Sequence, residues 1–337
     1  MNIGVIGLGS FGQQHVRVYA EHPDVTFLGV WDISSARVHE VGTRHDCGKF
    51  ENLAALLCKV DAVSIVTPAV NHAEIAMKCF DRGVHVLVEK PIATNLDDAQ
   101  KCIEYAEKNK CIFQVGHLER FNAANVAAEK IISSPYFMDA TRLTPYPNRN
   151  IDVDVVLDIM IHDLDIILRY AKSEIKDLKA SGAFVRSSCL DVATARIVFE
   201  NGCVANVSAS RVSDTKLRSM VVAQPETSPY INYVTGRLHV YPVGQYQKSS
   251  GNVEPYDLIG HEDEPLSREL DAFIQSIKQN TLPLVSGRDG LDALNLAQRI
   301  ADKIYSSLPN NSIASSPFYA CDVRNTPSDK AISVTQG

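Results

Sequence analysis

Short apolar runs alternate with helical patterns over the first part of the chain. Each run is followed by a segment in which apolar positions recur at the spacing of one helix face. The predicted strands are residues 3–6, 25–32, 61–68, 84–90 and 111–117. Strands that alternate with helices pair into a parallel, doubly wound sheet. We therefore predict an α/β fold whose first domain, residues 1–120, is of the Rossmann type.

The second half of the chain instead alternates apolar and polar residues, as strands with one buried face do. Such runs cover residues 179–186, 191–200, 203–212, 216–224 and 231–242. Asn201-Gly202 is a hairpin-turn signal between two of them. Helical spacing returns over 264–279 and 289–308. The pattern predicts a second α/β domain over residues 121–310, followed by an extended tail over 311–337.

One predicted helix, residues 154–168, carries ionisable groups on an otherwise apolar surface. Asp158, His162 and Asp165 fall on one narrow stripe, with Asp154 near it, whereas Asp163 points elsewhere. An unpaired charge is costly to bury, so the stripe faces either solvent or a polar pocket. An ordinary amphipathic helix and a catalytic stripe both fit this segment taken alone.

A glycine-rich turn, Gly7-Leu8-Gly9-Ser10-Phe11-Gly12, stands between the first predicted strand and a helix. In that context GxGxxG indicates a dinucleotide site, since the glycines permit the tight turn, the approach of a pyrophosphate and close helix packing. Asp32 ends the second strand, where a carboxylate accepts bonds from the adenosine ribose and repels a 2′-phosphate. NAD is therefore favoured over NADP, although Arg37 weakens this preference.

Polar residues cluster at the ends of the later strands, where ligands bind in such sheets. Lys90 follows the apolar run VHVLV and precedes Pro91, and a partly desolvated lysine is suited to proton transfer. A surface lysine paired with Glu89 is the alternative. The predicted cofactor-binding residues are Gly7, Gly9, Ser10, Phe11, Gly12, Asp32, Thr67, Pro68, Asn71, His72, Glu89 and Lys90.

Composition narrows the class of protein. The 337 residues are 45% apolar and 22% charged, an ordinary globular balance for two domains. A net charge of −7 disfavours nucleic acid or an anionic membrane as the main partner. Eight cysteines without a CxxC pair, no signal peptide and no run of membrane-spanning length predict reduced thiols and a cytoplasmic location.

Three motifs together resemble the Gfo/Idh/MocA family of NAD(P)-dependent dehydrogenases: GLGSFG, then VEKP, then D-x-x-x-H-x-x-D. The resemblance implies a Rossmann domain followed by an α/β domain with a large, mostly antiparallel open sheet, and a homodimer or homotetramer. It also implies that Lys90, Asp158 and His162 form the catalytic group beside the nicotinamide. Many members have glycine two residues after the aspartate, where this chain has Met160.

The predicted reaction is the oxidation of a sugar hydroxyl, with His162 suited to take the proton and Lys90 suited to stabilise the oxygen. Their roles can be exchanged, because coupled groups share protons. A metal bound by Asp158, His162 and Asp165 is disfavoured, since hydride transfer requires none. A ketoreductase and a non-catalytic NAD-binding regulator are the competing hypotheses for the chain as a whole.

Two stretches suggest the substrate. GHLERFNAA, residues 116–124, and the MIHDLD form of the helix resemble UDP-N-acetylglucosamine 3-dehydrogenases; another sugar or inositol dehydrogenase is the alternative. Arg142 and Arg149 flank Tyr146 and two prolines, and their guanidinium groups suit a diphosphate unless this is simply a solvated loop. The predicted substrate-binding residues are His117, Arg120, Asn122, Arg149 and Asp165.

Overall fold

The computed structural model of the chain describes residues 1–146, 153–243, 256–259 and 264–307. The strands of the first sheet are β1 (Asn2–Ile6), β2 (Thr26–Trp31), β3 (Gly48–Lys49), β4 (Ala62–Ile65), β5 (His85–Glu89) and β6 (Phe113–Gly116). They pair in parallel in the order β3-β2-β1-β4-β5-β6. The helices between them are α1 (Ser10–Glu21), α2 (Ser35–Arg44), α3 (Leu53–Leu57), α4 (His72–Phe80) and α5 (Leu96–Lys108). The predicted doubly wound sheet is confirmed.

A second sheet follows the first. Its strands are β7 (Phe137–Leu143), β8 (Ile175–Ala183), β9 (Val192–Phe199), β10 (Val204–Ser210), β11 (Leu217–Ala223), β12 (Thr227–Asn232), β13 (Arg237–Pro242) and β14 (Tyr256–Ile259). The order is β14-β13-β12-β11-β7-β10-β9-β8, and among these described strands only β7 and β10 pair in parallel. The predicted large, mostly antiparallel sheet is therefore confirmed.

One face of the second sheet is covered by helices. The helices of this half are α6 (Ala123–Ala128), α7 (Ile161–Ala171), α8 (Pro265–Gln279) and α9 (Gly287–Ser307). In β9, Ala195 and Ile197 are buried whereas Thr194 and Arg196 are exposed, as the alternating sequence requires. Helices α7 and α9 pack on the buried side of this sheet. The inward-facing side chains of the strands are therefore those that can reach the candidate active site.

Helix α8 belongs to the core of the first sheet although it comes late in the chain. Leu270 and Phe273 share a hydrophobic cluster with Val5 and Val16. The predicted domain boundary at residue 120 does not anticipate this return, and the domain ranges stay a prediction. This return of the chain also places the side chain of Glu269, in α8, inside the first domain.

Glu269 is a fully buried carboxyl group whose two oxygens have no hydrogen-bond partner among the described residues. Its own carbonyl oxygen accepts a bond of 3.0 Å from the side-chain amide of Gln114. Burial raises the pKa of Glu269 well above its ordinary value of 4.5, and repulsion from Glu89 acts in the same direction. The folded chain therefore holds Glu269 in its neutral, protonated form over a wider pH range than the unfolded chain does.

We expect Glu269→Gln to change how stability depends on pH. The unfolded chain releases this proton near pH 4.5 while the folded chain keeps it. The free energy of unfolding of the wild type should therefore fall, relative to that of the variant, as the pH rises above 4.5, by up to about 1.4 kcal/mol per pH unit. Urea unfolding at a series of pH values measures this difference. Parallel curves for the two proteins would show that the carboxyl ionises normally.

The cysteines are mostly free thiols, as predicted. Those free in the structure are Cys47, Cys58, Cys79, Cys102, Cys111 and Cys203. Cys189 is disulfide-bonded, so the prediction of a fully reduced set is wrong at this residue, where the sequence has no CxxC signal.

None of the described helices combines the length and the apolar character needed to cross a bilayer. The cytoplasmic location and the homodimer or homotetramer stay predictions, as does the extended tail, which lies outside the described residues.

Candidate active site

A cleft of about 570 Å³ lies at the carboxyl ends of β1, β2 and β4, where the strand order reverses beside β1. Doubly wound sheets bind their ligands at this reversal. The predicted cofactor residues that line the cleft are Gly7, Gly9, Ser10, Phe11, Gly12, Asp32, Thr67, Pro68 and Asn71. His72, Glu89 and Lys90 are not part of its described lining. Arg37, whose charge weakens the preference for NAD, does line it.

The glycine-rich turn has the geometry that a pyrophosphate needs. Gly7 has a φ of +93°, and a side chain at Gly12 would place its Cβ 2.0 Å from the Gly7 carbonyl oxygen. A Cβ at Gly9, by contrast, would meet nothing within 4 Å, so this position opens onto the cleft. Gly9 is the N-cap residue of α1, and no capping side chain accepts a hydrogen bond from the backbone amides of the first helical turn. Those amides and the positive end of the helix dipole suit an anionic group.

The side chain of Asp32 stabilises the same glycine-rich turn through hydrogen bonds. Its carboxylate accepts hydrogen bonds from the backbone amides of Leu8, at 2.7 Å, and Ser34, at 2.8 Å. The side chain is nearly buried but still lines the cleft. A carboxylate has about four acceptor positions, so it retains capacity for the ribose hydroxyls after these two bonds. The residues present therefore fit NAD, the cofactor predicted from the sequence.

His72 joins the cofactor cleft to the neighbouring strand end. Its two ring nitrogens lie 2.8 Å from the carbonyl oxygens of Thr67 and Pro91. Thr67 lines the cleft, and Pro91 directly follows Lys90. The buried imidazole therefore links the wall of the cofactor cleft at Thr67 to Pro91, the residue after Lys90. We infer a positioning contribution for His72 instead of direct contact with the cofactor.

Lys90, Asp158 and His162 meet in a second cavity of about 280 Å³. Lys90 follows β5, Asp158 lies in a π-helical turn over Val156–Met160, and His162 lies in the first turn of α7. The Lys90 ammonium donates a hydrogen bond of 2.6 Å to the Asp158 carbonyl oxygen and lies 3.6 Å from Asp158 Oδ1. Single π turns inside helices are frequent at functional sites. The geometry brings together the three residues of the predicted catalytic group.

The polar stripe of the predicted helix does not face solvent. Asp154 accepts bonds from the amides of Val156 and Leu157 and so caps the start of the helix. Asp165, at the other end, is bound to an arginine, while Asp158 and His162 between them line the cavity. Met160, where many family members have glycine, is fully buried. No three His, Cys, Asp or Glu side chains of the described ranges are grouped as a metal site.

His162 is a half-buried imidazole in a positively charged setting. Its Nδ1 has no hydrogen-bond partner among the described residues. Burial, with repulsion from the Lys90 and Arg142 cations, holds the pKa of His162 well below its ordinary value of 6.5. The ring is therefore neutral at physiological pH, which is the form that can accept a proton.

Four of the predicted substrate-binding residues, His117, Arg120, Asn122 and Asp165, are not among the described residues that line this cavity. Arg120 makes a two-pronged ion pair with Asp165, at 2.6 and 2.5 Å, and both side chains are almost fully buried. Asn122 caps α6 and donates to the Tyr233 carbonyl oxygen. His117 is buried, and neither of its ring nitrogens has a partner among the described residues. These contacts favour packing roles for Arg120, Asn122 and Asp165 and assign none to His117, and Arg149 lies outside the described residues.

The cavity also contains residues that the sequence pattern did not single out. These are Thr144, Ile159, Arg211 and Arg218; Arg142, which the sequence suggests for a diphosphate, lines it as well. Arg142 and Arg218 point to the same side of the second sheet from the neighbouring strands β7 and β11. An arginine among apolar residues on the inward face of a strand was the signal that could have identified them.

Comparison with known proteins agrees with this geometry. Residues 1–117 match the family model described as "Oxidoreductase family, NAD-binding Rossmann fold", and residues 133–224 match the "GFO/IDH/MocA C-terminal domain". The chain is 32% identical over 309 residues to the UDP-N-acetylglucosamine 3-dehydrogenase of Acidithiobacillus ferrooxidans, covering 89% of this chain and 96% of that protein. It is 25% identical over 325 residues to the myo-inositol 2-dehydrogenase of Thermotoga maritima, covering 88% and 94%. A solved structure of the Acidithiobacillus ferrooxidans enzyme has a TM-score of 0.85 at 30% identity, covering 91% of this chain and 98% of that one.

Proposed function

Because the chain belongs to the Gfo/Idh/MocA family of NAD-binding oxidoreductases, we propose that it oxidises a secondary hydroxyl of a nucleotide sugar, UDP-N-acetylglucosamine at C3. The predicted oxidoreductase class and the NAD cofactor are confirmed by that membership, and the exact sugar is the proposal. The observation that carries the proposal is the convergence of Lys90, Asp158 and His162 in one cavity, with Lys90 at the carboxyl end of β5, the strand next to β4 of the cofactor cleft. Similarity to the Acidithiobacillus ferrooxidans enzyme over nearly its whole length supports the choice of sugar.

The geometry suits the removal of a proton from a hydroxyl group. When bound, NAD supplies the hydride acceptor. Neutral His162 accepts the hydroxyl proton, because its depressed pKa keeps the ring deprotonated. Lys90 donates a hydrogen bond to the substrate oxygen and stabilises the negative charge that develops there. Asp158 holds the Lys90 ammonium in place through its carbonyl oxygen and its carboxylate.

The test is a substrate panel followed through the absorbance of reduced nicotinamide. Purified protein with NAD is offered UDP-N-acetylglucosamine, free N-acetylglucosamine and myo-inositol, and initial rates are compared. We expect the nucleotide sugar to give the highest kcat/KM. Equal rates with and without the UDP group would remove the nucleotide-sugar assignment, and turnover of myo-inositol alone would transfer the chain to the inositol dehydrogenases.

A further inference from the structure

We propose that the cavity shared by Lys90 and His162 contains an oxyanion subsite centred on Arg218. The subsite takes a phosphate or carboxylate group carried by the substrate, and in a nucleotide sugar that group is the diphosphate. This inference rests on the proposed function, which it deepens by assigning the recognition of the charged part of the substrate. It separates this chain from enzymes whose substrates, like inositol, carry no charge.

The charge on the cavity wall is the first observation. The described lining includes four cationic side chains, Lys90, Arg142, Arg211 and Arg218, and one carboxylate, Asp158. The chain as a whole is acidic, with a net charge of −7, so this concentration of positive charge is local. A cleft lined by one sign of charge attracts ligands of the opposite sign.

Two of these arginines already bond several partners within the fold. Arg142 makes a two-pronged bond with Asp163, at 2.8 Å for both contacts, and donates to Glu119 at 2.6 Å. Arg211 donates to Asp191 at 2.9 Å and to the Val153 carbonyl oxygen at 2.7 Å. These bonds hold the two guanidinium groups within the fold, and both groups still add positive charge to the wall of the cavity.

Arg218 is different because it lacks a dedicated partner. Its nearest described carboxylate is that of Glu119, 3.9 Å from Nη1, and Glu119 already accepts the bond from Arg142. Its buried Nε has no hydrogen-bond partner among the described residues. The rest of the side chain is partly exposed to the cavity, so a ligand that enters it can supply the acceptor that this buried donor lacks.

Strand register adds a second, independent observation. Arg218 of β11 stands directly opposite Arg142 of β7 in the antiparallel ladder. Like charges in this position repel each other, and the Glu119 carboxylate bonds Arg142 at 2.6 Å but lies 3.9 Å from Arg218, so the charge of Arg218 is the less well offset of the two. Burial and the charge of Arg142 lower the pKa of Arg218, and the Glu119 and Asp163 carboxylates offset only part of this effect. A planar guanidinium binds phosphate or carboxylate through two parallel hydrogen bonds, whereas a lysine offers one point charge.

The subsite also connects substrate binding to the base. Arg218 is one of the cations that lower the pKa of His162. An oxyanion bound to Arg218 offsets that charge and makes His162 a stronger proton acceptor once the substrate is present. A neutral sugar in the same cavity does not provide this effect.

The experiment measures direct binding, so that it does not depend on turnover. Titration calorimetry with the NAD-loaded full chain uses UDP, inorganic pyrophosphate and glucuronate as probes. Arg218→Met should weaken the preferred oxyanion about 10- to 100-fold, and Arg218→Lys should be intermediate. The matched control is Arg196→Met, an exposed arginine of the same sheet that bonds Asn206 outside the cavity. The control should bind like the wild type.

The outcomes separate this inference from the proposed function. Binding of UDP or pyrophosphate that depends on Arg218 supports the subsite even if the chain fails to oxidise UDP-N-acetylglucosamine. Arg218-dependent binding of glucuronate without UDP also supports it, and changes the source of the oxyanion to a sugar acid. Equal affinity of wild type and Arg218→Met for every probe overturns the inference, as does the absence of binding to the wild type. Circular dichroism spectra of both variants that match the wild type show that any loss is local.

Discussion

Replacing His162 with asparagine is expected to lower kcat about 100- to 10,000-fold, the contribution that a positioned proton acceptor makes. The imidazole lies in the cavity with Lys90 and Asp158 and not in the cofactor cleft. The affinity for NAD, measured by calorimetry, should therefore stay at the wild-type value. Loss of turnover without loss of cofactor binding assigns the effect to the chemical step.

The pH profile gives a second measurement on the same variant. His162 must be neutral to accept a proton, and its pKa is depressed well below 6.5 by burial and neighbouring cations. Wild-type kcat/KM should hold as the pH falls to 6.5 and decline only below it, whereas the residual activity of His162→Asn should lack this decline. His39→Asn, an exposed histidine of α2, is the matched control and should keep wild-type turnover. Near-normal turnover of His162→Asn would remove the imidazole from the chemistry.

The cofactor half of the site could be predicted from the sequence because its determinants are local. The positive φ of Gly7 and the close approach of Gly12 to it arise within one turn of chain. The strand before this turn and the helix after it are visible as apolar periodicity, and Asp32 follows at the end of the next strand. Lys90 and the stripe with Asp158 and His162 could also be singled out from local patterns, and the resemblance to a known family then joined these distant residues into one catalytic group.

The partners of the charged side chains could not be predicted in the same way. In a sequence, an arginine that binds a substrate cannot be distinguished from one that stabilises the core, because both occur among similar neighbouring residues. Arg120 and Asp165 are 45 residues apart, and only tertiary packing brings them into a buried pair. Arg218 opposes Arg142 because of the register between β7 and β11, which depends on the whole sheet. The substrate side of the site therefore needed the structure.

Asp163, the residue after His162, forms an ion pair with Arg142. Breaking this pair should lower the free energy of unfolding more than the other substitutions do. Both side chains are almost fully buried, and the guanidinium donates to both Asp163 oxygens at 2.8 Å. Asp163→Asn leaves a buried guanidinium with Glu119 as its remaining described carboxylate partner. Loss of one member of a buried pair costs about 3–5 kcal/mol in free energy of unfolding. Urea unfolding followed by circular dichroism measures this loss.

The control for Asp163→Asn is an exposed pair of the same chemistry. Glu40→Gln removes the carboxylate that pairs with Arg44 at 2.6 Å on the surface of α2, and should cost no more than about 1 kcal/mol. The triple variant Arg142→Met/Asp163→Leu/Glu119→Gln removes the guanidinium and both carboxylates that bond it, so it should recover much of the stability lost in Asp163→Asn. That recovery would show that the penalty comes from an uncompensated charge and not from the shape of the asparagine. Equal costs for Asp163→Asn and Glu40→Gln would mean that water reaches the Arg142 guanidinium and that this ion pair behaves like an exposed one.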